Sequence, residues 1–347
     1  MTFAIRAVAG AAIAAAIATQ AIGAGAQLPA YKIVKTVPLG APDKWDFLTF
    51  DPASKLVYVS HRTKVDVVDP ALGKIVGEIS PIGESHGVAS LPKLDRFYAG
   101  DAKANVLIAA DIKTFAKTGS APVGVDSDAV VADAATGRVY VMNGDGQSVT
   151  AVDAAKNKAL KTVALGGSPE FAAIGRKGRL FINVADTNEI VVFDTTKLSI
   201  TARWPTAPCE KPHGMAMDID TNRVFVSCSN ARMIVVNAAN GAIVANLPIG
   251  KGTDAAAFDS VRKLAFSSNG EGTLSVIAER GANDFVSLGD IKTAPGARTM
   301  ALDPQTGRIF LVTADVTKTE PPEKPGHGPH FIFAPGTVKL LILDPAK

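Results

Sequence analysis

The sequence predicts an all-β chain folded as a seven-bladed β-propeller of four-stranded antiparallel blades, and two observations predict it. The first is a repeated unit, read most cleanly from Lys211 to Asn237 as KPHGMAMDIDTNRVFVSCSNARMIVVN. The second is the number and spacing of its copies. They open at WDFLTFD (Trp45), SHGVASL (Ser85), SDAVVAD (Ser127), PEFAAIG (Pro169), PHGMAMD (Pro212), TDAAAFD (Thr253) and ARTMALD (Ala297), 40 to 44 residues apart. That period suits a blade of four short strands, and the β-rich content excludes helical repeats of similar length.

Each element of the unit has a local cause. GMAMD is small or apolar on both faces, as in a strand buried between layers. Asp220, Thr221 and Asn222 supply side chains that bond their own backbone in a turn, and RVFVS returns as a β-branched and aromatic strand. Ser229 and Asn230 break the run before MIVVN, which ends at Asn237, Asn240 and Gly241. AIVANLPI is the fourth strand and closes the unit before Gly250.

Ahead of the repeats, residues 1–26 read as a signal peptide. Arg6 supplies a positive start, Ala7 to Ile17 a short apolar run, and Ala24-Gly25-Ala26 a small-x-small cleavage site. The expected location is periplasmic or secreted, and the run is too short and alanine-rich for a membrane span. Residues 27–347 are expected to form one propeller domain. YKIVKTVPLG (Tyr31 to Gly40) is a lone strand in search of a sheet, while the last repeat supplies only TMALD, RIFLV and VKLLILD. The N-terminal strand is therefore expected to complete the last blade and leave no open edge.

The formal charge of +3 falls to +2 without Arg6, and no basic run would track phosphates. With 4 Tyr and 2 Trp the chain also lacks a base-stacking surface, so nucleic acid is not an expected partner. Two tryptophans likewise cannot supply the repeated docking motif of an eight-bladed quinoprotein. A monomer is expected.

The recurrent second strand, LVYVSH at Leu56, RVYVMN at Arg138 and RVFVSCSN at Arg223, precedes a strand ending in Asp or Asn and a glycine-rich link. This pattern resembles the YVTN-type, YncE-like β-propeller repeat family over nearly all of residues 27–347. The resemblance implies the propeller fold. Such propellers serve as binding platforms and as enzymes, so it carries no catalytic residue onto this chain.

The second position of each opening reads Asp46, His86, Asp128, Glu170, His213, Asp254 and Arg298, all ionisable, whereas neither flanking position is ionisable in any repeat. In a propeller this position begins the innermost strand, so the seven side chains are expected to ring one mouth of the central channel. Convergent ionisable groups in a concavity mark a ligand site. Four carboxylates and two histidines suit a divalent transition metal as cofactor, with His86 and His213 as its imidazole ligands, while Arg298 suits a ligand carboxylate or phosphate. Carboxylates on both sides of each histidine favour its protonated form, or a metal ion in the proton's place.

Three further histidines are expected on the same face as weaker metal ligands: His61 in a loop of the first blade, and His327 and His330 in a proline-rich insertion over 314–336. Cys209 and Cys228 both fall in the fifth blade. A turn near Asp220 and Thr221 would pair His213 with Cys228, which makes a disulfide geometrically reasonable in an exported chain. The competing arrangement is a thiolate and imidazole site of Cys209, Cys228 and His213. Asp51, Asp133, Asp218, Asp259 and Asp303 are expected to cap turns, and Met215, Met217 and Met300 to pack between blades. The functional expectation is an exported propeller binding a small anionic ligand or a transition-metal ion at the mouth. The alternative is a non-enzymatic platform for a protein or cell-envelope partner on that face.

Overall fold

The computed structural model describes residues 27–322 and 328–346; the expected signal peptide and His327 lie outside them. Seven four-stranded antiparallel sheets form the blades. Each innermost strand packs against those of its two neighbours, the first against the last, which closes the ring. The last sheet takes Tyr31–Gly40 as its outer strand, paired antiparallel with Val338–Pro345 from Tyr31↔Pro345 to Gly40↔Val338. Among the described residues the only helical element is a 3-10 turn at Pro92–Leu94, and none of them forms a helix long and apolar enough to cross a membrane.

The core is built by one repeated position. The third residue of every second strand is aromatic, Tyr58, Tyr98, Tyr140, Phe181, Phe225, Phe266 and Phe310, and every one is at most 1 % exposed. Their rings fill the wedge between consecutive blades, and neighbouring blades are also tied by polar bonds. Tyr98 Oη donates to the Ala154 carbonyl at 2.8 Å, and Arg223 Nε to the Ala282 carbonyl at 2.6 Å, each reaching one blade onward. The expected turn caps are present. Asp51 accepts from the Ser54 amide at 2.9 Å, and Asp133, Asp218, Asp259 and Asp303 each accept from the amide two residues on. Met215 and Met300 are buried between blades, with Met217 partly so.

The innermost strands depart from the sequence reading in one respect. In blades 2 to 6 the opening residue pairs with the end of the second strand, and pairing then skips one residue, as in Ser85↔Asp101 followed by Val88↔Ala99. The same shift follows Ser127, Pro169, Pro212 and Thr253. This is a β-bulge, with two residues of one strand facing one of the other. In the fifth blade it makes Pro212, rather than His213, the partner of Cys228. In blades 1 and 7 the regular pairing begins only at Leu48 and Met300.

Cys209 and Cys228 form a disulfide with Cα atoms 5.4 Å apart, so no thiolate remains to pair with His213. For a bridge spanning 19 residues the chain-entropy expectation is about 3 kcal/mol. The double variant Cys209→Ala with Cys228→Ala should lose about that much in urea unfolding; an unchanged midpoint would show that the bridge contributes nothing.

Candidate functional site

In blades 2 to 6 the bulge falls at the ionisable residue and its successor, and the ionisable side chains line the mouth. The successors are Phe47, Gly87, Ala129, Phe171, Gly214, Ala255 and Thr299. Phe47 and Phe171 belong to blades 1 and 4, which are not neighbours in the ring, yet their centroids lie 4.5 Å apart. Their contact crosses the channel and floors it. Above this floor opens a funnel of about 930 Å³, lined by all seven ring residues.

The ring order carries a regularity that the sequence reading missed although it was legible there. Acid-Phe, His-Gly, Asp-Ala occurs as Asp46-Phe47, His86-Gly87, Asp128-Ala129 and again as Glu170-Phe171, His213-Gly214, Asp254-Ala255; Arg298-Thr299 stands alone. Two acid–histidine–acid triads thus face each other across the mouth. The glycine after each histidine is required by close approach. A Cβ on Gly87 would meet the Asp128 carbonyl oxygen and lie 2.5 Å from Val130 N, and one on Gly214 would lie 2.5 Å from Ala256 N.

The two triads differ in their partners. In the first, His86 Nδ1 lies 2.6 Å from Asp46 Oδ2 and 3.6 Å from Asp128 Oδ1. One ligand atom from each of Asp46, His86 and Asp128 falls within 4.8 Å of the other two, the spacing needed to hold a metal ion. In the second, His213 Nδ1 is 3.4 Å from Glu170 Oε2 in a geometry that makes no hydrogen bond, and it is buried without another partner. Here Arg298 supplies a fixed cation, with Nε 3.0 Å from Asp254 Oδ2. The first triad has no such cation.

Electrostatics follow the same division. Burial pushes the Asp128 carboxyl well above the usual range, and the charges of Asp46, Glu170, Asp126 and Asp254 push it further. Burial also raises Asp254, to about 6, with Arg298 and His213 pulling it back and Asp46 and Glu170 pushing it up. For His86 burial acts downward, but the hydrogen bond and charge of Asp46, with Asp126 and Glu84 behind, outweigh it and the imidazole is raised. Burial likewise lowers His213, and Glu170 and Asp254 more than compensate against Arg298. Side-chain exposures of 17 % to 26 % for the six acids and histidines, against 61 % for Arg298, describe a water-filled funnel with protein walls rather than a closed core.

The remaining histidines do not join the ring. His61 is fully buried, with Nδ1 2.6 Å from Asp66 Oδ2 and Nε2 against the Pro42 carbonyl, so both ring nitrogens are engaged and neither faces the funnel. His330 is exposed on the funnel wall, its Nδ1 3.2 Å from Glu320 Oε2. It belongs to an antiparallel hairpin, Val316–Glu320 with His330–Phe333, which is what the insertion over 314–336 forms among the described residues. Phe333 of that hairpin meets Trp45 edge to face at 5.2 Å, so the hairpin is packed against the rim of blade 1.

No protein-family model matches the chain, and no curated protein matches it in sequence. Solved structures match it in shape. Hydrazine synthase of Kuenenia stuttgartiensis aligns at 13 % identity over 84 % of this chain and 95 % of that one, with a TM-score of 0.68. A chain in the crystal structure of the mitotic checkpoint complex aligns at 13 % identity over 99 % of each, with a TM-score of 0.72. U3-55K aligns at 10 % identity over 90 % of this chain and 98 % of that one, with a TM-score of 0.71. At such identities the likeness establishes the propeller architecture alone.

Proposed function

We propose that this chain is an exported, YVTN-type propeller that binds a divalent transition-metal ion at the channel mouth, on Asp46, His86 and Asp128. The observation that carries the reading is the convergence of their three ligand atoms within 4.8 Å, on the arc of the ring that has no fixed cation of its own. Imidazole with carboxylates suits zinc, copper or nickel, and three protein ligands leave coordination positions open to water or a small ligand. Asp46 and Asp128 flank His86 where either an imidazole proton or a cation would cancel their charges. Export is supported by the signal-like residues 1–26 and by the disulfide, which belongs to an oxidising compartment. The reading assigns binding and no reaction.

Calorimetry on protein carrying no histidine tag tests it. Wild type should take up about one equivalent of Cu(II) or Zn(II), and His86→Ala should weaken uptake by about a hundredfold or more while its thermal midpoint without metal stays within a few degrees. Uptake should tighten as pH rises, and go on tightening above the ordinary imidazole range, because His86 and Asp128 hold their protons more firmly than usual and must shed them to bind. If wild type binds neither ion, or binds both as well after the substitution, the ring is a polar rim and the partner platform becomes the working reading.

A further inference from the structure

The triad of the cation site occupies one side of the funnel only, and the charges of the mouth are sorted by side. Along blades 1 to 3 the lining carries Asp43, Asp46, Asp126, Asp128 and Asp145, against Lys44 and His86. Lys44 is already committed to Glu84 at 2.8 Å. Along blades 4 to 7 the lining carries Lys211, His213, Arg298 and His330, against Glu170 and Asp254. Among the described residues Lys211 Nζ has no ion-pair partner, and Arg298 lies with Nε 3.0 Å from Asp254 Oδ2. The mouth is therefore polarised, with an acidic wall facing a mixed one that holds the fixed cations Lys211 and Arg298.

A bare ion matches one wall and leaves the other unanswered. It also uses little of the space: six waters around an ion occupy about 200 Å³ at roughly 30 Å³ each, a small part of the 930 Å³ funnel. The contact of Phe47 with Phe171 floors the channel, so a ligand enters and leaves by the mouth, and its second end lies within the same funnel.

We infer that the ligand of this site is an anionic chelate: a transition-metal ion together with a small hydroxy- or polycarboxylate. The inference rests on the cation reading above. The ion sits on Asp46, His86 and Asp128, and the organic acid fills the coordination positions that three protein ligands leave open. A carboxylate not used on the ion crosses to the opposite wall, where the Arg298 guanidinium donates two parallel N–H bonds and the imidazole of His213 stands beside it. The acidic wall repels the organic acid when it arrives without its cation, so binding of the two is coupled and the site discriminates the complex from either component.

The test uses Cu(II) alone, citrate alone and a preformed one-to-one Cu(II)–citrate complex, titrated calorimetrically into wild type, Arg298→Gln and Asp128→Asn, with Cu(II) electron paramagnetic resonance to identify the bound species. Citrate alone should not bind wild type. The complex should bind it about ten- to a hundredfold more tightly than it binds Arg298→Gln, the worth of a charge-assisted pair. Bare Cu(II) should move the opposite way, binding Arg298→Gln as tightly as wild type or more so, because a positive charge has left the mouth. Asp128→Asn should lose affinity for both forms. Equal affinity of the complex for wild type and Arg298→Gln, or a resonance showing that citrate strips copper from the protein with no ternary species, overturns the chelate and leaves the cation site standing. Citrate bound equally well without copper overturns the coupling. Failure of wild type to bind copper in any form overturns the cation reading itself.

Discussion

Removal of Tyr31–Gly40 should abolish cooperative folding of the ring or lower its thermal midpoint by at least about 15 °C, with aggregation on heating. This strand is the outer edge of the last blade, and it joins the two ends of the chain in one sheet. Its loss bares the full length of Val338–Pro345 as an unpaired edge, a template for pairing with other chains. It also removes Val37 and Leu39, 1 % and 6 % exposed, at roughly 1.5–3 kcal/mol each, and the bond from Tyr31 Oη to the Gly307 carbonyl. Because Tyr31 pairs with Pro345, the same ten residues moved to the C-terminus behind a two-residue turn would fall back into the same register. That rearranged chain should recover most of the midpoint. An unchanged midpoint after the deletion, or no recovery after the transfer, would show that closure does not depend on this pairing.

Gly87→Ala should damage both fold and site. The added carbon would stand against the Asp128 carbonyl oxygen, 2.5 Å from Val130 N and 2.8 Å from Ala129 C, all backbone that no side-chain rotation can clear. Blades 2 and 3 would have to part, at a cost of about 3 kcal/mol, or roughly 5–10 °C in midpoint. The displaced backbone is that of Asp128, one of the three proposed metal ligands, so copper affinity should fall with stability although no ligand has been altered. Gly281→Ala is the control: a Cβ there meets nothing within 4 Å, and the substitution should be neutral or slightly stabilising. Differential scanning fluorimetry and copper calorimetry on the two variants decide the matter. Full copper affinity in Gly87→Ala would mean that the triad does not depend on this approach of the blades.

What the sequence determines by itself is whatever recurs at short range. Strand runs of four to seven residues, their turn chemistry and a fixed spacing between copies are local properties, so seven blades, the aspartate caps and the closing N-terminal strand can be read without coordinates. The ring of ionisable residues is legible for the same reason, and so is its division into two triads, since Phe, Gly and Ala follow acid, histidine and aspartate in the same order twice. The local pattern does not specify the pairing register at the mouth. The straight continuation of a hairpin would set His213 opposite Cys228, and a one-residue bulge moves Pro212 there instead. Only closure of the ring brings Phe47 onto Phe171 and Arg298 onto Asp254 while leaving Asp46 and Asp128 to share His86. These contacts join residues about 40 or more positions apart, and charge pairing changes decisively over one or two ångströms. The composition of the ring was therefore fixed by the order of residues, and its polarity by the tertiary structure that decides which neighbour each charge reaches.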